Sequence, residues 1–89
     1  MTDFSRCYRK NSQIITKQLG EESYLIDPYR RALIKLNPVA LDIWQLIDGT
    51  RSGSEILEVL KMEFEVKEDI LKSDLGSFLR ELVKREIIS

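Results

Sequence analysis

Leu36-Asn37-Pro38-Val39-Ala40-Leu41-Asp42-Ile43-Trp44-Gln45-Leu46-Ile47-Asp48-Gly49-Thr50-Arg51-Ser52 is the stretch on which the fold turns. Asn is a favoured N-cap, and Pro suits the first helical position because its missing N–H needs no partner there. Asn37-Pro38 therefore closes an extended segment at Leu36 and opens a helix. Ala40, Ile43, Trp44 and Ile47 recur at helical spacing, so this first helix runs to about residue 47, and Asp48-Gly49 supplies its stop. Ser52-Gly53-Ser54-Glu55 has the Ser-x-x-Glu spacing of a capping box and starts a second helix.

Working back from Leu36, residues 31–36 read as a strand, preceded by the turn chemistry of Asp27-Pro28-Tyr29-Arg30. Ser23-Tyr24-Leu25-Ile26 reads as another strand, and residues 12–19, rich in Ile, Thr and Gln, as a third. Gly20-Glu21 joins these two tightly enough to make them antiparallel, so the N-terminal part is a three-stranded meander.

Working forward, Ile56, Leu57, Leu60 and Phe64 form the apolar stripe of the second helix, which ends near residue 65. The third and longest helix runs from about residue 67 or 68 to 85, with acidic residues in its first turn and Lys84-Arg85 in its last, as the helix dipole prefers. Its apolar set is Leu71, Leu75, Phe78, Leu79, Leu82 and Val83. At 100° per residue these span about 140°, wider than the roughly 100° that faces one core. Part of the stripe is thus available to something outside the chain's own core. Ile87-Ile88 closes the chain as a short extended tail.

The 89 residues make one domain, 43% apolar and 33% charged, which is the composition of an ordinary soluble globular protein. A chain of this size buries roughly two-thirds of its unfolded surface, leaving little room for an enclosed active site. No apolar run approaches the roughly 20 residues needed to cross a bilayer, and the start lacks the apolar core of a signal peptide, so the expected location is cytoplasmic. One cysteine, Cys7, and no histidine exclude an intrachain disulfide, the usual zinc sites and the commonest general base. No cofactor and no metal site is implied. The net charge of −1 divides into +3 over residues 1–36 (seven Lys/Arg, four Asp/Glu) and −4 over residues 37–89 (seven against eleven). That leaves no large single-sign field for nonspecific nucleic-acid binding.

Three strands and three helices in this order give an α+β, winged-helix-like fold: an N-terminal three-stranded antiparallel sheet followed by three helices. Residues 1–11, with the basic run Arg6-Cys7-Tyr8-Arg9-Lys10, read as a flexible arm, and residues 12–89 as a single domain. DNA binding is the first function such a fold suggests. A recognition helix, however, carries a basic exposed face, and the third helix sets Lys67, Lys72, Arg80, Lys84 and Arg85 against Glu68, Asp69, Asp74, Glu81 and Glu86. Five against five is a solvated surface. Glu63, Glu65, Glu68 and Asp69 surround a helix junction without calcium-loop spacing. Cys7 lacks a partner base, and Trp44 at helical spacing is a core residue. What resists a purely structural reading is the pairing of a strand ending at Leu36 with a helix whose apolar face is too broad. These are the two walls that an added peptide strand needs.

The run Leu36-Asn37-Pro38-x-Ala40, Ile43-Trp44-x-Leu46-Ile47-Asp48-Gly49-Thr50-Arg51-Ser52, Glu55-Ile56, closed by Asp74-x-x-x-Phe78-Leu79-x-Glu81-Leu82-Val83, resembles the pyrroloquinoline quinone biosynthesis protein D (PqqD) family from about residue 26 to 88. The resemblance implies a recognition element of ribosomally made, post-translationally modified peptide (RiPP) systems. Such an element is a non-catalytic chaperone that takes up the leader segment of a precursor peptide by strand addition and presents it to a modifying enzyme, often a radical S-adenosylmethionine (SAM) protein. Carried onto this chain, the strand wall is Ala32, Leu33, Ile34, Lys35 and Leu36, and the helix wall is Leu71, Asp74, Leu75, Phe78, Leu82 and Arg85. The stripe has a second edge, at Gly76, Leu79 and Val83, and its pattern does not choose between the two. The glycine that the family carries before its terminal apolar pair is absent here, where Arg85-Glu86 precedes Ile87-Ile88. The partners implied are a precursor peptide and a modifying enzyme, with no nucleic acid and no membrane, and the chain is a monomer or weak homodimer. The alternatives are a winged-helix DNA-binding protein and an adaptor for a folded protein.

Overall fold

The computed structural model describes residues 4–89. Strands β1 (Ile15–Leu19), β2 (Glu22–Asp27) and β3 (Ala32–Leu36) precede helices α1 (Pro38–Leu46), α2 (Gly53–Glu63) and α3 (Glu68–Lys84). The fold is the expected α+β arrangement, with a three-stranded antiparallel sheet in the order β1-β2-β3.

Local chemistry sets the strand ends. β1 begins later than the sequence pattern suggests because Asn11 organises a turn in front of it. The Asn11 side-chain oxygen accepts from the Gln13 N–H at 3.0 Å, and its carbonyl accepts from the Ile14 N–H at 3.1 Å. Leu19 pairs with Glu22, leaving a two-residue turn whose first position, Gly20, has φ +64°, a conformation open to glycine at little cost. Between β2 and β3 the buried Asp27 carboxylate accepts from the N–H groups of Tyr29 and Arg30 and from the Arg30 guanidinium. These bonds hold the Asp27 carboxyl below its usual range, with the Arg30 N–H the largest cause.

Register places Leu25 between Thr16 and Ile34, and Ile26 between Ile15 and Leu33. Strand residues alternate in direction, so Leu25, 1% exposed, enters the core, whereas Ile15 and Leu33 lie on the outer face, 49% and 63% exposed. Against the inner face pack the apolar sides of the helices. Ile43, Trp44 and Ile47, Ile56, Leu57 and Leu60, and Leu71, Leu75, Leu79 and Leu82 join Leu25 and Leu36 in one core. Trp44 is a core residue as expected, and its indole N–H donates to the Thr16 hydroxyl at 2.8 Å, fastening α1 to β1.

The helix starts follow the sequence. Asn37 caps α1 by accepting from the Ala40 N–H at 2.8 Å. Ser52 and Glu55 complete the capping box of α2, in which Ser52 Oγ accepts from the Glu55 N–H and Glu55 Oε1 from the Ser52 N–H.

Residues 4–11 correct the expectation of a flexible arm; residues 1–3 of that arm lie outside the described residues. Tyr8 is 3% exposed within the core. Arg9 and Ser89 exchange two backbone hydrogen bonds of 2.9 Å, and the Asn11 N–H donates to the Ile87 carbonyl. The carbonyls of Arg6 and Phe4 accept from the N–H groups of Gly53 and Ser54, donors that the first turn of a helix leaves without internal partners. The segment therefore both completes the α2 N-terminus and pairs with the buried Ile87-Ile88 tail.

The end of α3 explains how the chain manages without the family's glycine. The Glu86 N–H donates to the Val83 carbonyl and the Ile87 N–H to the Leu82 carbonyl, the bond pattern of a Schellman cap. Glu86 itself sits at φ +59°, the left-handed conformation for which glycine is favoured.

Candidate functional site

Sheet order leaves β3 at an edge, with no strand beside it among the described residues. β3 packs on β2 and α1, while α3 packs on α2 and α1, so α1 joins a strand wall to a helix wall. Just beyond the Leu36 end of β3, α1 and α3 enclose an open cavity of about 310 Å³. Asn37, Val39, Ala40 and Ile43 line it from the cap and first turns of α1, and Asp74, Ser77 and Phe78 from α3. At the other end of β3, Arg30 in the preceding turn forms an ion pair with Glu86 just beyond α3. Residues 74 to 86, from α3 into the turn beyond it, therefore run alongside β3 in the opposite direction.

The proposed site residues divide between this cleft and the core. Leu33 is exposed, Ala32 and Ile34 are half-buried, and Leu36 is buried. Lys35 is exposed and its ammonium is tied at 3.0 Å to Glu22 on β2. Tyr24 donates to the same Glu22 carboxylate at 2.6 Å, and this hydroxyl, ahead of Lys35, holds the carboxyl below its usual range. On the helix wall, Phe78 is half-buried and Asp74 exposed, both lining the cavity. Arg85 is exposed and its Nε donates to Glu81 Oε1 at 2.6 Å.

Leu71, Leu75 and Leu82 are 0% exposed and are core side chains, offering no surface to a ligand. The helical wheel explains why. The buried stripe runs from Leu71 through Leu82, Leu75 and Leu79 to the buried Gly76, and its centre is filled by the protein's own core. Only the edge carrying Asp74, Ser77 and Phe78 reaches the cavity. Sequence reasoning missed Ser77, Asn37, Val39, Ala40 and Ile43 as cavity residues. Ala40 and Ile43 were visible as members of the apolar face of the first helix, but nothing in the sequence separates the part of that face turned to α3 from the part turned to the sheet.

Several ionisable groups elsewhere are engaged in structure. Asp48 accepts from the N–H groups of Thr50 and Arg51 and from the Thr50 hydroxyl, and the backbone donors bring its carboxyl down to about 2. The Glu63 carboxyl is raised by its hydrogen bond with Asp42. Cys7 is exposed and donates to the Thr50 carbonyl at 3.3 Å. Among the described residues no cluster of His, Cys, Asp and Glu fits a metal ion, and no helix is long and apolar enough to cross a membrane.

A family model for coenzyme PQQ synthesis protein D (PqqD) matches residues 22–88, which takes in β2, β3 and all three helices. The chain belongs to the PqqD family. Among solved structures, this PqqD-family chain is similar to TbiB1 in complex with the TbiA(beta) leader peptide, with a TM-score of 0.76 and 22% identity over 91% of this chain and 94% of that one. It is also similar to lasso peptide synthetase B1 complexed with the leader peptide, with a TM-score of 0.77 and 21% identity over 92% of this chain and 96% of the other. These likenesses extend the shared fold beyond the family match to nearly the whole chain. No curated protein matches the sequence significantly.

Proposed function

We propose that this PqqD-family protein captures the leader segment of a ribosomally made precursor peptide by adding it as an antiparallel strand to the free edge of β3. The observation that carries this reading is that edge, running beside α3 and ending at an apolar cavity between α1 and α3. Backbone bonds to β3 give affinity for any extended chain, while alternate side chains of the added strand enter the cavity and give selectivity. Two solved structures of the same fold hold leader peptides, which supports the same use of the cleft here. In this role the protein performs no chemistry. It presents the attached core peptide to a separate modifying enzyme, such as a radical SAM protein, in the cytoplasm where the precursor is made.

Amide chemical shifts recorded while a leader peptide from a neighbouring precursor gene is titrated in test the reading. Shifts concentrated in residues 31–37, the first turns of α1 and residues 74–86 are expected. An unchanged spectrum with the leader, together with shifts on adding duplex DNA that vanish with salt, overturns it in favour of nucleic-acid binding.

A further inference from the structure

The cavity at the Leu36 end of β3 is apolar on its floor, where Val39, Ala40, Ile43 and Phe78 lie, yet a carboxylate stands at its rim. Asp74 has no side-chain hydrogen bond or ion pair among the described residues. Glu58, Glu68, Glu81 and Glu86, by contrast, are each paired with a lysine or arginine of the chain itself. The N-terminus of α1 also borders the cavity through Asn37, but a helix end carries only about half a positive charge. A full negative charge at Asp74 exceeds it, and the cavity stays acidic.

Spacing fixes what this charge reads. Asp74 and Phe78 are one helical turn apart, a rise of about 6 Å. Alternate residues of a strand point the same way and lie about 6.7 Å apart. A strand laid along α3 therefore matches Asp74 and Phe78 with two of its residues separated by one. A strand antiparallel to β3 runs in the same direction as α3, because residues 74 to 86 oppose β3. The residue that meets Asp74 then precedes the one that meets Phe78.

Resting on the leader-capture reading above, we infer that the cleft selects leader peptides with a lysine or arginine two positions before a large apolar residue, the cation pairing with Asp74 and the apolar side chain seated against Phe78. The methylene stem of the basic residue lies along the apolar lining while its head reaches the carboxylate at the rim, as such side chains commonly do.

The test uses fluorescein-labelled synthetic Thr/Val peptides carrying Lys-x-Leu, Gln-x-Leu, Glu-x-Leu or the reversed Leu-x-Lys. Each is titrated by anisotropy into the wild-type protein, Asp74→Asn and Asp74→Lys, with circular dichroism confirming that these exposed-site variants fold. Lys-x-Leu should bind about tenfold tighter than Glu-x-Leu, the size of a charge-assisted hydrogen bond, and tighter than Leu-x-Lys. Asp74→Asn should erase the preference and Asp74→Lys reverse it. Equal binding of the Lys, Gln and Glu peptides, or a preference that survives Asp74→Asn, overturns the selectivity and leaves leader capture standing. Absence of binding by every peptide overturns the selectivity as well, and the shift titration with a natural leader then decides capture separately.

Discussion

Arg30, in the turn before β3, pairs with Glu86, just past the last turn of α3. The pair joins the two walls of the cleft at the end opposite the cavity. Glu86 meets this contact from a left-handed backbone conformation, at φ +59°. A side chain that gains an ion pair thus stands where backbone energetics favour glycine. The two effects differ in size: left-handed backbone costs a non-glycine residue roughly 1–2 kcal/mol, while an exposed ion pair contributes about 0–1 kcal/mol.

Glu86→Gly should therefore hold or raise stability, by up to about 1 kcal/mol, in spite of the lost ion pair. Glu86→Ala keeps the backbone strain and loses the pair, so it should fall slightly below wild type. Urea midpoints of the three proteins check the order Gly, wild type, Ala. An alanine variant more stable than the glycine variant contradicts the assignment of strain to this position.

Gly53 is the first residue of α2, where alanine is ordinarily the better helix former. A Cβ there would lie 2.8 Å from a ring carbon of Phe4 and 3.0 Å from its Cα. Gly53→Ala should accordingly push the N-terminal segment off the helix. The expected outcome is faster amide exchange at positions 53 and 54, whose N–H groups are bonded to Arg6 and Phe4 in the wild type, and a stability loss of about 1–3 kcal/mol, the usual cost of overpacking.

The helix starts and the order of elements were legible because their causes are local. Asn37-Pro38 and Ser52-x-x-Glu55 satisfy neighbouring backbone groups, and a period of three to four residues marks a buried face whatever it packs against. The docking of residues 4–11 was not legible, since the backbone bonds between Arg9 and Ser89 and between Phe4 and Ser54 leave no trace in side-chain pattern, and the burial of Tyr8 among the basic residues around it shows no period. The cleft was half legible. The excess width of the α3 stripe was visible, but which of its edges is surplus depends on where α1 and α2 pack, and that leaves Phe78 at the cavity and Leu71, Leu75 and Leu82 inside.

Asp48 gives the fold an acid-sensitive point. Its carboxyl lies at about 2 when folded, against an ordinary 3.8, because the Thr50 and Arg51 N–H groups bond the ionised form. A lowered folded value means that the contribution is fully present above about pH 4 and is lost as pH falls towards about 2. Asp48→Asn keeps a side-chain oxygen for the turn but does not titrate. The stability advantage of wild type over this variant should shrink as pH falls from about 5 to about 2, followed by urea unfolding at each pH. A difference that stays constant through that window contradicts the role given to the ionised carboxylate.

Phe78 should matter for capture more than for folding. It is half-buried at the rim of the core, and its exposed part lines the cavity between α1 and α3. An aromatic anchor in a desolvated pocket is worth about 2 kcal/mol or more on truncation, so Phe78→Ala should weaken leader binding by roughly thirtyfold. Ser52→Ala supplies the contrast. It removes the α2 cap and should cost about 1 kcal/mol of stability, yet Ser52 is not among the residues that line the cavity, so the affinity of the folded protein should be unchanged. Calorimetric titration of both variants with the same leader, alongside urea unfolding, separates the two effects. A folded Phe78→Ala protein with wild-type affinity moves the peptide away from this edge of α3.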